Sequence, residues 1–131
     1  MSPNGVLAVK VLIGRMMLIA VFVIGTAQAH HSSIPWYDLN ADQVTVTGVV
    51  TEFQFLNPHV YIFVTVARAD GTTEEWKLEG TSRNRLLRIG WTEDSIKLGQ
   101  TVTATGFPAW KGNGIDTEKL VVDSGSLVWE R

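Results

Sequence analysis

Apolar positions along this chain change period several times, and each change marks an element. From Val44 to Phe55 (VTVTGVVTEFQF) they alternate with polar ones, which predicts a strand with one buried face. Val44 and Val46 set the first phase. Beyond Gly48 the apolar set moves to Val49, Phe53 and Phe55, and a phase change at a glycine predicts a bulge or bend inside one long strand. Asn57-Pro58 ends it, because proline donates nothing to a ladder and holds the preceding residue extended. From His59 to Val66 alternation resumes, with Val60, Ile62, Val64 and Val66 on one face and Tyr61 and Phe63 on the other. Asp70-Gly71 signals a hairpin turn. Thr73 to Glu79 (TEEWKLE) then points Trp76 and Leu78 inward and its charges outward, with Glu79 a solvated strand end. The helical stretch runs from Ser82 to Ile89, capped by Thr81 or Ser82 and stopped by Gly90. After a turn at Lys97–Gln100 come a strand at Thr101–Phe107, a tip at Lys111-Gly112-Asn113-Gly114, and strand segments at Glu118–Asp123 and Leu127–Trp129. The order β-β-β-α-β-β is that of the OB-fold, a five-stranded Greek-key barrel with its helix between strands three and four. The predicted class is therefore all-β with one short helix: a small five- to six-stranded OB-fold-like barrel over 44–131. A small barrel or sandwich of other topology is the alternative. Residues 30–43 show no period and read as an extended segment, which Trp36-Tyr37 docks onto the body.

The first 29 residues follow a different logic. Lys10 and Arg15 are their only charges, Met16 to Gly25 is uninterruptedly apolar, and Ala27-Gln28-Ala29 places small residues where signal peptidase reads them. The apolar run is about half of the roughly 20 residues a membrane-crossing helix requires. The pattern predicts a signal peptide, 1–29, cleaved after Ala29. It places the mature chain in the periplasm with no spanning segment, and no cysteine follows the run to carry a lipid anchor.

Cleavage leaves 102 of the 131 residues, one small domain. Nine of eleven Lys/Arg then face thirteen Asp/Glu, so the formal net charge falls from −2 to −4. An acidic chain is a poor binder of nucleic acid, which needs clustered positive charge, and none is expected as a partner. The absence of cysteine excludes disulfides and thiolate metal sites. Most of the five tryptophans are expected to pack in the core.

Candidate chemistry gathers at the histidines. His30 and His31 would open the mature chain, and His59 stands at the corner after the first strand. A terminal histidine offers its amine and its own imidazole to one ion, and an amine pKa near 7.7–8.0 makes that proton easy to lose. All-nitrogen ligation suits copper(II), where divalent affinity peaks, with zinc as the alternative. Residues 30–43, extended, reach roughly 45 Å, enough to fold back to His59. The competing reading is a frayed polar tail and a histidine that hydrogen-bonds at a strand start. Arg83 and Arg85, with Arg88, crowd the helix after Gly80-Thr81-Ser82 and suit an anion; pairing with Glu74, Glu75 or Glu79 is the expectation preferred. Glu79 is a candidate base or further ligand, and Trp110 with its glycine-rich tip a stacking surface for a sugar or aromatic ring. No nucleophile triad, carboxylate pair or phosphate loop assembles, so catalysis is not expected.

Ala-His-His-Ser at the signal junction, Asn57-Pro58-His59, Trp76 to Gly80 (Trp-x-x-Glu-Gly), and Gly90-Trp91-Thr92 followed by Leu98-Gly99 together resemble an uncharacterised family of small exported bacterial proteins. That resemblance implies a periplasmic setting and a compact β-barrel. It directs attention to His30, His31, Asn57, Pro58, His59, Glu79 and Gly80. Two functions remain open: a metal-binding domain, copper first, for binding, delivery or sensing through His30, His31 and His59; or a metal-free OB-type module for a small ligand or a periplasmic protein partner.

Overall fold

The computed structural model describes residues 35–131, apart from 124, 126 and 127. The expected signal segment, its cleavage site, His30 and His31 lie outside the described residues. Six strands and a helix follow in the order β1 (Val44–Gln54), β2 (Tyr61–Ala67), β3 (Thr73–Glu79), α1 (Arg83–Arg88), β4 (Thr101–Pro108), β5 (Gly114–Val122) and β6 (Val128–Glu130). Hydrogen bonding runs β3-β2-β1-β4-β5-β6, and an additional β3–β5 pairing closes the first five into a barrel. That closing pair is parallel, with Lys77 opposite Gly114, Leu78 opposite Ile115 and Glu79 opposite Asp116. The architecture is OB-fold-like, with β6 as an extra strand antiparallel to the far end of β5.

β1 makes the closure possible by serving two partners. Its first half, Val44 to Val49, pairs with β4, and its second half, from Val49 to Gln54, pairs with β2. The phase change expected at Gly48 lies further on. Val46 and Val50 are buried in one continuous phase and Val49 points outward, 43% exposed. The register slips between Val50 and Glu52, and only then do Phe53 and Phe55 turn toward the core. Gly48 answers to a different constraint. A Cβ there would lie 2.9 Å from the Thr65 carbonyl oxygen and 2.9 Å from Val64 Cγ2, because the bent strand presses its backbone onto β2.

Inward alternation in β2 is as expected, with Val60, Ile62 and Val64 buried. β5 begins at Gly114 rather than Glu118, since Gly114–Asp116 is the stretch that meets β3. Opposite it, the β4–β5 register slips between Thr105 and Gly106. A Cβ on Gly106 would come within 2.1 Å of the Asp116 carbonyl oxygen, so only glycine fits there. In α1 the Ser82 hydroxyl accepts a hydrogen bond from the Arg85 amide at 3.2 Å, and Leu86 drives the helix into the barrel end beside Trp91. Trp91 and Trp129 are buried and Trp76 packs partly against the core, in line with the expectation that most tryptophans pack, while Trp36 and Trp110 stand exposed. Among the described residues no helix is long and apolar enough to cross a membrane.

The segment before β1 is docked onto the barrel. Tyr37 forms an antiparallel bridge with Ala109, the Asp38 amide donates to the Pro108 carbonyl at 2.9 Å, and the Trp110 amide donates to the Trp36 carbonyl at 3.0 Å. Of the aromatic pair, Tyr37 is the one that enters, buried to 1% exposure.

Candidate functional site

Three pieces of chain converge at the end of β3. The corner between β1 and β2 carries His59, where the Asn57-Pro58 peptide is cis and the Asn57 side-chain amide donates to Asn84 of α1 at 3.2 Å. Beyond the corner the Gly80 amide donates to the Val60 carbonyl at 2.7 Å and the Val60 amide to the Thr81 carbonyl at 3.0 Å, which extends the β2–β3 ladder. This brings His59 alongside Glu79. The third piece is the docked segment with Tyr37.

Glu79 is the hub. It is only 7% exposed, contrary to the expected solvated strand end. One carboxylate oxygen accepts from the Tyr37 hydroxyl at 2.5 Å and the other bonds His59 Nδ1. Lys77 Nζ lies 3.6 Å from the oxygen that Tyr37 holds, and sits 5.2 Å from the Tyr61 ring centroid and 6.0 Å from that of Tyr37. A carboxylate taken out of water costs several kcal/mol unless donors and a counter-charge replace its hydration. Here a phenol, an imidazole and an ammonium do so. Burial, followed by the bond to Glu79, pushes the Tyr37 hydroxyl well above the usual phenol range. Burial and then the Glu79 charge push Tyr61 up as well.

A second buried carboxylate lies across the seam. Asp116, opposite Glu79 in the closing pair, is 2% exposed and is held by both terminal nitrogens of Arg131, at 3.0 and 2.7 Å. Arg131 also donates to Glu118 at 2.9 Å. Tyr37 near the start of the described chain thus holds one buried acid, and Arg131 at its end holds the other.

The structure gathers some predicted site residues and separates others. His59 and Glu79 meet. Both Glu79 oxygens are already engaged, so the residue orients His59 rather than offering an open ligand. Arg83 pairs with Glu93 at 3.6 Å and lies over the Phe55 ring at 5.4 Å, not on the β3 acids as expected. Glu74 is taken by Arg68 at 3.2 Å, and Glu75 accepts from Thr51 and Thr65. Arg85 is exposed on a helix of six residues, with no acid in the helix's first turn. Trp110 lies on the loop between β4 and β5. Among the described residues no group of His, Asp and Glu is arranged to hold a metal by itself. Tyr37 and Lys77 escaped the sequence reading. An alternating strand sends Lys77 outward, and only the docking of Tyr37 makes that outer face a site.

Over residues 18–118 the sequence matches a family described as a family of unknown function, DUF6152. The chain belongs to this family. All of Tyr37, His59, Lys77, Glu79 and Asp116 fall inside the DUF6152 match. No curated protein matches the chain in sequence. Among solved structures, the barrel is similar to the mitochondrial single-stranded DNA binding protein Rim1 of S. cerevisiae, with a TM-score of 0.48 and 7% identity over 63% of this chain and 94% of that one. It is also similar to a small single-stranded DNA-binding protein from Streptomyces coelicolor, with a TM-score of 0.42 and 18% identity over 66% of this chain and 95% of that one.

Proposed function

We propose that this DUF6152 chain is an exported metal-binding domain, copper its preferred ion and zinc the alternative, acting in binding, delivery or sensing rather than catalysis. His59 is the ligand within the barrel, through Nε2. Cleavage after Ala29 supplies the rest: the His30 amine and imidazole, and His31. One observation carries the reading, the bond between His59 Nδ1 and buried Glu79. Metal-bound imidazoles almost always donate their other N–H to a carboxylate or carbonyl, which selects the tautomer and aims the free nitrogen. His59 has that partner, and Glu79 is itself held by Tyr37.

Docking of Tyr37 also supports the terminal ligands. Tyr37 and His59 share one carboxylate, and His31 stands six positions before Tyr37 in the sequence, a contour of up to ~20 Å. Calorimetric titration of copper(II) into protein beginning at His30 tests the proposal. One extra residue before His30 weakens binding at least tenfold in this reading, as does His59→Ala. Equal affinity in both variants would sink it and leave the barrel as a metal-free binding module.

Nucleic acid is not the proposed ligand. The chain is acidic, formally −4 once residues 1–29 are removed, and phosphodiesters need clustered positive charge. Fluorescence anisotropy with a labelled oligo-dT should show no saturable binding at physiological salt; tight binding that weakens with salt would overturn this part.

A further inference from the structure

Two exposed tryptophans are brought together by the β4–β5 loop and the docked segment. The Trp110 amide donates to the Trp36 carbonyl at 3.0 Å, and the Tyr37–Ala109 bridge next to it locks the two backbones together. Trp36 is 70% exposed and Trp110 58%. With Pro35 and Lys111 they line an open cleft of about 440 Å³, within the size range of small-ligand sites. Trp91 and Trp129, by contrast, are buried, so the chain buries indoles where the core calls for them. Holding two others at the surface forgoes the burial of a large apolar area each. The β4–β5 loop is also one of the two loops through which OB-folds bind oligonucleotides and oligosaccharides.

Charge decides between those ligand classes. Lys111 is the one ion among the described lining residues. The same loop is tied to acid: the Asn113 side-chain amide donates to Glu74 at 3.2 Å and to the Glu75 carbonyl at 3.3 Å. A ligand with a negative charge on every unit gains one ammonium and meets the Glu74 carboxylate behind the same loop. A neutral sugar meets no such repulsion. Its pyranose ring has an apolar C–H face that lies flat on an indole, while its hydroxyl edge accepts from an ammonium.

We propose that the Trp36–Trp110 cleft, with Lys111 at its edge, binds a neutral pyranose oligosaccharide. The site shares no side chain with the His59–Glu79 pair and does not depend on the metal reading. Tryptophan fluorescence of the metal-free protein, titrated with chitotetraose, cellotetraose and maltotetraose, is the test. At least one of these saturates with a Kd of about 1 mM or below, and Trp110→Ala and Trp36→Ala each weaken it tenfold or more. Both side chains are exposed, so the variants should melt within a few degrees of the parent, which separates lost binding from lost fold. Binding of none of the three sugars overturns the proposal, as does binding that survives both substitutions. Oligo-dT or tetragalacturonate binding more tightly through the same tryptophans overturns it too, since either would make the ligand an anion.

Discussion

Glu79 shows how much of this protein depends on a single carboxylate. It closes a strand whose alternation sends it outward, yet Tyr37, His59 and Lys77 enclose it. Tyr37→Phe removes the donor to one oxygen and should cost about 1–3 kcal/mol in urea unfolding, as expected for a hydrogen bond to a charged, buried group. The same bond makes stability sensitive to alkali. Unfolded tyrosine releases its proton near pH ~10, whereas folded Tyr37 retains it to higher pH because of burial and Glu79. Its contribution is therefore complete below about pH 10 and is lost as pH rises beyond that. Tyr61 shifts in the same direction and adds to the effect. The melting temperature should fall progressively above pH 10, and less steeply in Tyr37→Phe. Identical slopes would show that Tyr37 does not carry the effect. For copper, Glu79→Gln should weaken affinity by about 10–100-fold, the usual cost of losing the carboxylate behind a metal-bound imidazole.

Among the elements, the β4–β5 hairpin carries the most constraint. Its register slip at Gly106 sets one backbone against another, and a Cβ there has no flexible side chain to push aside. Gly106→Ala should destabilise by about 2–3 kcal/mol in thermal or urea unfolding. Gly114→Ala on the same hairpin, where the nearest atom would be 3.4 Å away, should cost much less. A reversed ranking would contradict the geometry. The extra strand β6 acts through the residue after it: Arg131 neutralises Asp116 on the far side of the seam. Arg131→Ala leaves that carboxylate buried with its counter-charge gone, and should cost about 3 kcal/mol. Asp116→Asn in the same background should recover part of the loss, because it removes the stranded charge.

At the scale of the whole molecule, the docked segment and the β1–β2 corner meet at the end of β3 on a closed barrel. A ligand there touches parts of the chain far apart in sequence and stabilises the fold as a unit. In the proposed metal-bound state, copper at 100 times its Kd should add about 2.7 kcal/mol to unfolding free energy. A calorimetric scan of protein beginning at His30 should show the corresponding rise in melting temperature, and a chelator should abolish it. An unchanged melting temperature at saturating copper would mean that the ion does not engage the folded barrel.

Alternation by itself determined where the strands lie, which faces of β2 turn inward, and where the helix interrupts the order. Those properties follow from local period, since residues two apart share a face of a strand. The same local logic read the N-terminal segment as an export signal. What alternation does not carry is which strand meets which. The parallel β3–β5 closure moved the start of β5 back to Gly114, and bending of β1 between two partners moved its phase change past Gly48 to the slip after Val50. Burial of Glu79 belongs to the same class. Its donors stand 42 and 20 residues away in sequence, and they reach it only because the docked segment and the corner meet at the end of β3. A charge in an alternating strand reads as solvated until tertiary structure supplies the groups that replace its water. The sequence pointed to His59 and to Trp110. Only the folded chain brought Glu79 and Tyr37 behind the first and Trp36 beside the second.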